Sequence, residues 1–482
     1  MPNSVIAVNR FGLGGRPDDR LPGDPERWLL DQFARYDPVS APIAVAPRHR
    51  DVMRYFGEST GEFLVESERI REINLAARDG EAMPAMDDRR AEMRRAMLRQ
   101  GRDFHEAHIA ARVASALTST TPFIERLVHF WANHFAVSID KRETLGYAGL
   151  LEFDAIRPHV LGRFEDMLLA VEQHPAMLLY LDQPTSIGPA SEFGARLGNR
   201  PRRTLGLNEN LAREVLELHT LGVDGGYDQT DVTEFARALT GWTVNGLMRQ
   251  RYITRFLSPD AAPGSFAFAP ELHEPGVRRI MGQSYDQAGA AQARAVLRDL
   301  ARHPSTARHL ATKLARHFAG DEPPPALIDR LASAYRSNDG DLSAVYRALI
   351  ASPEAWVEQP VKFKTPWEWQ VSASRALGQD ALPDTNVTRL FTQLGQPVWE
   401  SGSPAGYDDL AGPWAVPDAL VRRVERAGAM VRAAADGRDP RQLAEALFAD
   451  RLSTATAQTI AQAESNGQGL ALLLVSPEFQ RR

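Results

Sequence analysis

Apolar residues recur along the chain with the spacing of three to four residues that is typical of amphipathic helices. Two helix starts carry a capping residue followed by proline, Asp24-Pro25 and Thr121-Pro122. From residue 287 the helical pattern resumes, and it runs into a helical tail that reaches Arg482. Before that point, the pattern predicts helices at about 25–36, 60–79, 87–118, 122–137, 145–182, 208–222 and 229–242.

Three segments interrupt this pattern. Within residues 251–284, Phe266-Ala267-Phe268 and Arg279-Ile280-Met281 stand on either side of a Pro-Gly pair, which predicts a short β-hairpin. Residues 184–206 and 396–417 are long loops rich in proline and glycine, and loops of this length are often functional or mobile. The predicted fold is therefore mainly α, a large multi-helical globular bundle with a small β-hairpin insertion around 251–284 and long Pro/Gly-rich loops.

We predict a single domain over residues 1–482, because no fixed-period repeat or clear linker divides the chain. A finer division would separate an N-terminal helical part (1–250), the β insertion (251–284) and a C-terminal helical part (285–482). Hydrophobic residues make up 43% of the chain, which is enough to bury a sizeable core.

Charge and cysteine content exclude several classes of function. The net charge of -6 argues against nucleic-acid binding, which needs a basic surface. The arginine-dense stretch 89–102 contains interspersed acidic residues and fits a solvated helix face better. The absence of cysteine excludes disulfides, thiolate metal sites and a cysteine nucleophile.

No targeting or membrane segment is visible in the sequence. The N-terminus lacks a basic stretch followed by an apolar core, so no signal peptide is predicted. No window approaches eighteen uninterrupted apolar residues, so no transmembrane helix is predicted. The default expectation is a soluble cytoplasmic protein.

Two helical segments each carry a histidine towards the core. In Asn208–Thr220, His219 falls in the apolar arc. In Thr121–Val137, His134 falls among apolar residues. The polar face of the first segment holds Glu209, Asn210, Arg213, Glu217 and Thr220, with Glu214 at its border, and that of the second holds Glu125, Arg126, His129 and Asn133.

A buried imidazole must find hydrogen-bond partners or a metal. One interpretation makes His134 and His219 structural, each bonded to backbone or to the other. The alternative brings them to one cavity with Glu214 or Glu217, a donor set that suits zinc, iron or manganese. His273, ahead of a Pro-Gly turn, is a third candidate ligand or a solvent-facing turn residue. The sequence contains no HExxH or HxH motif, no Walker loop and no GxSxG elbow.

The segment VKFKTPWEW offers Lys362, Lys364 and Trp367 for contact with an anion. A helix that begins near Pro366 explains the same spacing without a ligand. Both interpretations stay open at this point.

Several strings resemble the bacterial "domain of unknown function 1800" family, in order from residue 9 to the C-terminus: NRFGLGGRP, FWANHFAVS, NENLAREVLELHTLGVDGGY, DVTEFARALTGW, ELHEPG, KFKTPWEW and LLLVSPEFQRR. The resemblance implies one family-length unit and carries no established activity. Relatives often look exported and are encoded beside a sulfatase-like family, which implies work on envelope or extracellular material. Many relatives read FWHNHF where this chain has Ala132, so Asn133 and His134 are the matching positions.

Two functions are expected from these observations. The first is an enzyme with a His/Glu-lined helical cavity, either a metal-dependent hydrolase or oxygenase or a metal-free acid–base enzyme. The second is a non-catalytic binding or assembly protein that partners a sulfatase-like hydrolase. For the enzyme, the candidate catalytic residues are Asn210, Arg213, Glu214 and Glu217, and the candidate ligands of a zinc, iron or manganese ion are His134, His219 and His273.

Overall fold

The computed structural model describes residues 2–52, 84–197, 206–245, 264–382, 386–434 and 437–482. It confirms the mainly α class. The α-helices are α1 Pro2–Ile6, α2 Pro25–Arg35, α3 Ala41–Ala44, α4 Pro84–Thr118, α5 Pro122–His134, α6 Ala148–Leu150, α7 Phe164–Glu172, α8 Pro175–Tyr180, α9 Glu192–Leu197, α10 Asn210–Glu214, α11 Gln229–Leu239, α12 Ala290–Arg302, α13 Pro304–Ala319, α14 Pro325–Ser337, α15 Leu342–Ile350, α16 Pro366–Ala376, α17 Val387–Leu394, α18 Pro417–Ala434, α19 Pro440–Phe448, α20 Thr454–Ala461, α21 Asn466–Leu474 and α22 Pro477–Gln480.

Shorter helical turns extend or connect these helices. Three are π-helical, at Ala7–Phe11, Leu151–Ile156 and Val215–His219, and each continues the α-helix before it. The 3-10 turns are Arg142–Thr144, Arg157–His159, Gln183–Thr185, Pro270–Leu272, Pro353–Trp356 and Ala449–Arg451.

The predicted helical segments differ in how well they match. The predicted helix 87–118 is confirmed by α4, whereas the predicted helix 60–79 lies outside the described residues. The predicted segment 145–182 is divided into α6, two short turns, α7 and α8. Pro158 and Pro175 explain part of this division, since proline lacks the N–H that a continuing helix needs.

Two small antiparallel sheets are present in the described residues. Strand β1 (Trp242–Val244) pairs with β2 (Phe266–Phe268), and β3 (Arg278–Ile280) pairs with β4 (Gln283–Tyr285). The predicted strand segments are therefore present, but they pair with other strands and not with each other. Residues 246–263, between β1 and β2, lie outside the described residues.

Helix α5 lies in the main hydrophobic core. Phe123 and Trp131 are fully buried there, and the Trp131 indole N–H donates to the Tyr346 hydroxyl at 2.6 Å. A second hydrophobic cluster, around Trp369 and Leu473, forms between α16 and the C-terminal helices.

The polar face of α5 is buried at Glu125 and Arg126 and partly buried at His129 and Asn133, and ion pairs hold it. Glu125 accepts two hydrogen bonds from Arg157, at 2.9 and 2.7 Å, and both side chains are almost fully buried. Burial alone would raise the pKa of Glu125, but Arg157 and His129 outweigh burial and lower it. The bidentate geometry compensates for the removal of both charges from water.

Within the described residues, no helix has the length and apolar character needed to cross a membrane. The single-domain prediction and the expectation of no nucleic-acid binding stay predictions.

Candidate functional site

A cavity of about 390 Å³ lies between α5, α13, the start of α16 and the loop 396–409. This volume is within the range of small-molecule sites. Charged and polar side chains line much of it. They are Arg112, Arg126, His129, Asn133, His134, Lys313, Arg316, His317, Thr365, Glu368, Gln396, Ser401, Tyr407, Asp408 and Asp409.

The loop 396–409 forms a wall of the cavity because Asn133 fixes it to α5. The Asn133 side chain donates to the Tyr407 carbonyl oxygen and accepts from the Tyr407 amide, both at 2.8 Å. Gly406 has a φ of 77°, and a Cβ atom there would lie 2.3 Å from the Asn133 carbonyl oxygen. Glycine is therefore required at this close approach.

Lys313 and His134 meet in the cavity. The Lys313 ammonium donates to His134 Nδ1 at 3.0 Å, and His134 Nε2 lies 3.2 Å from the His219 carbonyl oxygen. An ammonium group only donates and a carbonyl oxygen only accepts, so the ring carries its proton on Nε2. Burial and the nearby Lys313 hold the pKa of His134 well below its usual value. The imidazole is therefore neutral.

The pKa of Lys313 lies below the usual value of a lysine. Burial of its ammonium group is the main cause that lowers its pKa to about 8; Asp409 opposes the shift and Arg316 adds to it. Lys313 itself is partly exposed to the cavity. A lysine of this kind populates both protonation states near neutral pH, which acid–base chemistry requires.

Arg316 adds a second cation three residues further along α13. It lines the cavity, and it has no hydrogen-bond or ion-pair partner within the described part of the chain. Lys313 has a neutral imidazole as its hydrogen-bond partner, and not a carboxylate. These two side chains give the cavity positive charge that no carboxylate of the described residues neutralises within pairing distance.

Two of the three carboxylates that line the cavity, Glu368 and Asp409, already have cationic partners, and the third, Asp408, accepts from the Leu410 amide at 2.8 Å. Glu368 pairs with Arg126, and Arg482 Nε lies 2.9 Å from a Glu368 carboxylate oxygen. Burial would raise the pKa of Glu368, but Arg482 and Arg126 hold it well below its usual value. Thr365 and Glu368 also form a capping box that starts α16, which fixes the backbone beside the cavity.

Asp409 is held in the same way from the loop side. His317 Nδ1 lies 3.2 Å from an Asp409 carboxylate oxygen, and Lys362 lies 3.6 Å from the other. Burial opposes ionisation, but these neighbours lower the pKa of Asp409. Asp409 and Glu368 are thus anions with cationic partners. Lys313 and Arg316, in contrast, are cations without a carboxylate partner in the described residues.

Two of the predicted metal ligands lie side by side. His134 and His219 are both buried, as the helical pattern predicts, and their ring centroids are 6.1 Å apart. His219 Nδ1 is 2.8 Å from the Glu172 carboxylate, and its Nε2 has no partner among the described residues. Both ring nitrogens of His134 have protein partners. Of the seven predicted site residues, His134 alone lines the cavity.

His273 lies apart from this pair, beside the β1–β2 sheet. Its Nδ1 lies 2.9 Å from the Thr240 carbonyl oxygen, and its ring contacts Phe268. Burial lowers the pKa of His273, so this ring is also neutral at physiological pH. Metal binding by His134, His219 and His273 stays a prediction.

The four predicted catalytic residues lie on the outer side of α10 and its π-helical extension. Asn210 is exposed, and Arg213 pairs with Glu209 at 3.1 Å. Burial and the nearby Glu217 raise the pKa of Tyr227. Glu214 is half-buried, and burial raises its pKa. Their catalytic role stays a prediction.

In the segment VKFKTPWEW, one of the three predicted anion-contacting residues lines the cavity, and the other two make contacts within the protein. Trp367 lines the cavity, whereas Lys364 is buried and donates to the Ser372 hydroxyl at 3.1 Å. Lys362 pairs with Asp321 at 3.0 Å.

Sequence reasoning missed Lys313, Arg316 and His317. One signal was present, because the chain has only four lysines among 56 basic residues, at 141, 313, 362 and 364. Lysine changes its pKa readily when it is buried and arginine does not. A rare lysine at the border of the apolar face of α13 is therefore informative.

The fold and the cavity define a mainly helical protein with a buried, cationic site that contains a lysine and a neutral histidine. The family model described as "Protein of unknown function (DUF1800)" matches residues 6–481. The chain belongs to this family. Comparison with curated proteins and with solved structures found no match.

Proposed function

We propose that the chain is an enzyme that binds an anionic small molecule in this cavity and uses Lys313 as its acid–base group. The observation that carries the proposal is the juxtaposition of Lys313 and Arg316, two cavity-lining cations without a carboxylate partner in the described residues, with the neutral His134. An anion that enters the cavity gains both cations in a partly buried setting, where charge pairs are stronger than in water.

The chemistry of the pair follows from its hydrogen bonds. In its neutral form, the Lys313 amine takes a proton from the bound substrate and becomes an ammonium ion. His134 Nδ1 then accepts a hydrogen bond from that ammonium ion and orients it, while the His219 carbonyl keeps the imidazole in the required tautomer. In its protonated form, Lys313 acts as the general acid for the reverse step.

A phosphorylated aldehyde tests this proposal, because it needs both an anion site and a reactive amine. We expect pyridoxal 5′-phosphate at pH 7, followed by borohydride reduction, to modify Lys313 at least about tenfold faster than the partly exposed Lys141, since a lysine of lowered pKa supplies more neutral amine. Peptide mass spectrometry reads all four lysines. Excess sulfate should protect Lys313.

Two comparisons sharpen the labelling experiment. Arg316→Ala should slow modification by pyridoxal 5′-phosphate but not by pyridoxal, which lacks the phosphate. The proposal fails if Lys141 reacts faster than Lys313, or if Lys313 reacts equally with both aldehydes and sulfate does not protect it.

The alternative is a non-catalytic binding or assembly protein, including a partner of a sulfatase-like hydrolase. Incubation with a cell extract of anionic metabolites separates the two functions. The family resemblance implies an enzyme that works on envelope or extracellular material. If the chain is such an enzyme, the wild type converts a component of the extract and the Lys313→Met variant does not. Retention of an anion by both proteins without conversion would favour the binding protein.

A further inference from the structure

A second group of metal-ligating side chains lies outside the cavity. A ring nitrogen of His49, a ring nitrogen of His174 and a carboxylate oxygen of Asp154 all lie within 4.8 Å of one another. His49 lies in a helical turn at 49–52, Asp154 in the π-helix Leu151–Ile156 and His174 at the N-cap of α8. Three separate segments of the chain thus converge on one point.

His174 presents a buried polar atom without a partner. The residue is only 7% exposed, and its Nδ1 accepts from the Ala176 amide at 3.2 Å. Its Nε2 has no hydrogen-bond partner in the described residues. A buried polar atom of this kind is unfavourable unless it finds a partner.

We propose that His49, Asp154 and His174 bind a divalent transition-metal ion. Two imidazoles and one carboxylate form a donor set that suits zinc, iron(II) and manganese(II), and it needs no thiolate. His49 and Asp154 are only partly buried, so the ion reaches the site from solvent and keeps a coordination position for water. This proposal is independent of the proposed function, because none of the three residues lines the cavity.

Two existing contacts compete with the ion. Arg48 donates to an Asp154 carboxylate oxygen at 2.8 Å, so the ion must share this carboxylate or displace the guanidinium group. The neutral His174 ring carries its proton on Nε2, because Nδ1 is an acceptor. Binding through Nε2 moves this proton to Nδ1, and the Ala176 amide then loses its acceptor. Because Arg48 competes with the ion for the Asp154 carboxylate, removal of the Arg48 side chain should strengthen metal binding.

Zinc chloride is the probe for this site. We expect chelator-treated protein to bind one Zn²⁺ per chain in calorimetric titration. His174→Ala and Asp154→Asn should each weaken binding at least about tenfold, the usual loss when a metal site is perturbed. Arg48→Met should tighten it. Cobalt(II) at the same site should give visible absorption bands that both ligand variants lose.

His303→Ala is the matched control. His303 also caps a helix, through an acceptor bond from the Ser305 amide at 3.2 Å, but it is not part of the cluster. This variant should bind zinc like the wild type. The proposal is overturned if the wild type binds no zinc, if folded His174→Ala and Asp154→Asn bind as tightly as the wild type, or if His303→Ala loses zinc equally. Circular dichroism establishes that each variant is folded, and Asp154→Asn keeps the test open if His174→Ala does not fold.

Discussion

The Lys313→Met variant should be at least as stable as the wild type at pH 7. Methionine has a similar length and carries no charge, so the cost of burying an ammonium group disappears. His134 Nδ1 loses its donor, but it borders the cavity and water can replace the lysine. If Lys313 instead stabilised the fold, the Lys313→Met variant would be less stable than the wild type. Urea unfolding followed by circular dichroism measures the difference.

The pH dependence of this difference has a defined sign. The pKa of Lys313 is lowered in the folded protein from 10.5 to about 8, so the unfolded chain binds more protons between these values. Wild-type stability therefore rises across this window, by up to about 1.4 kcal/mol per pH unit. The free energy of unfolding of Lys313→Met should exceed that of the wild type by a constant amount below pH 8, and this difference should shrink as the pH rises to 10.5.

Lys141→Met is the control for this experiment. Lys141 pairs with Asp182 at 2.6 Å on the surface, and such pairs contribute about 1 kcal/mol or less. A loss of several kcal/mol in Lys313→Met at pH 7, with no convergence at high pH, would show that Lys313 serves the fold and not the site.

Glu368→Ala should be the most destabilising substitution in the cavity. Glu368 is 8% exposed and pairs with both Arg126 and Arg482, so alanine leaves two buried guanidinium groups without their carboxylate. Breaking a buried pair in this way costs about 3–5 kcal/mol. Guanidinium chloride unfolding at pH 7 measures the loss. Glu354→Ala removes the partner of the exposed Arg330 and should cost about 1 kcal/mol or less.

Acid should remove the contribution of Glu368. Its folded pKa lies well below 4.5, so the stabilisation is fully present above pH 4.5 and is lost as the pH falls towards the folded value. The wild type and Glu368→Ala should therefore converge in acid. Equal stability of the two proteins at pH 7 would contradict the buried network.

The sequence predicts local features of this fold well and long-range contacts poorly. Helical periodicity predicts that His134 and His219 are buried, because burial of a face follows from spacing within one helix. The same pattern identifies Arg126, His129 and Asn133 as one polar face of α5. It does not show that this face lines a cavity, since that depends on α13, α16 and the loop 396–409.

The charge network could not be predicted for the same reason. Lys313 lies 179 positions from His134, and Glu368 lies 242 positions from Arg126. No periodic pattern relates residues at such separations. The strand segments show the same limit, because the local composition at 266–268 and 279–281 predicts strands but not their partners.

Heteronuclear NMR of protein labelled at the lysine ε position tests the central claim most directly, because only four signals need assignment. We expect Lys313 to titrate near pH 8 and to shift to a higher pKa when sulfate is added, since a bound anion favours the ammonium form. Lys364 is the internal control. Burial lowers its pKa to about 7, but it is enclosed beside Ser372 and should not respond to sulfate. A Lys313 signal that titrates near 10.5 and ignores sulfate would contradict an anion-binding acid–base site.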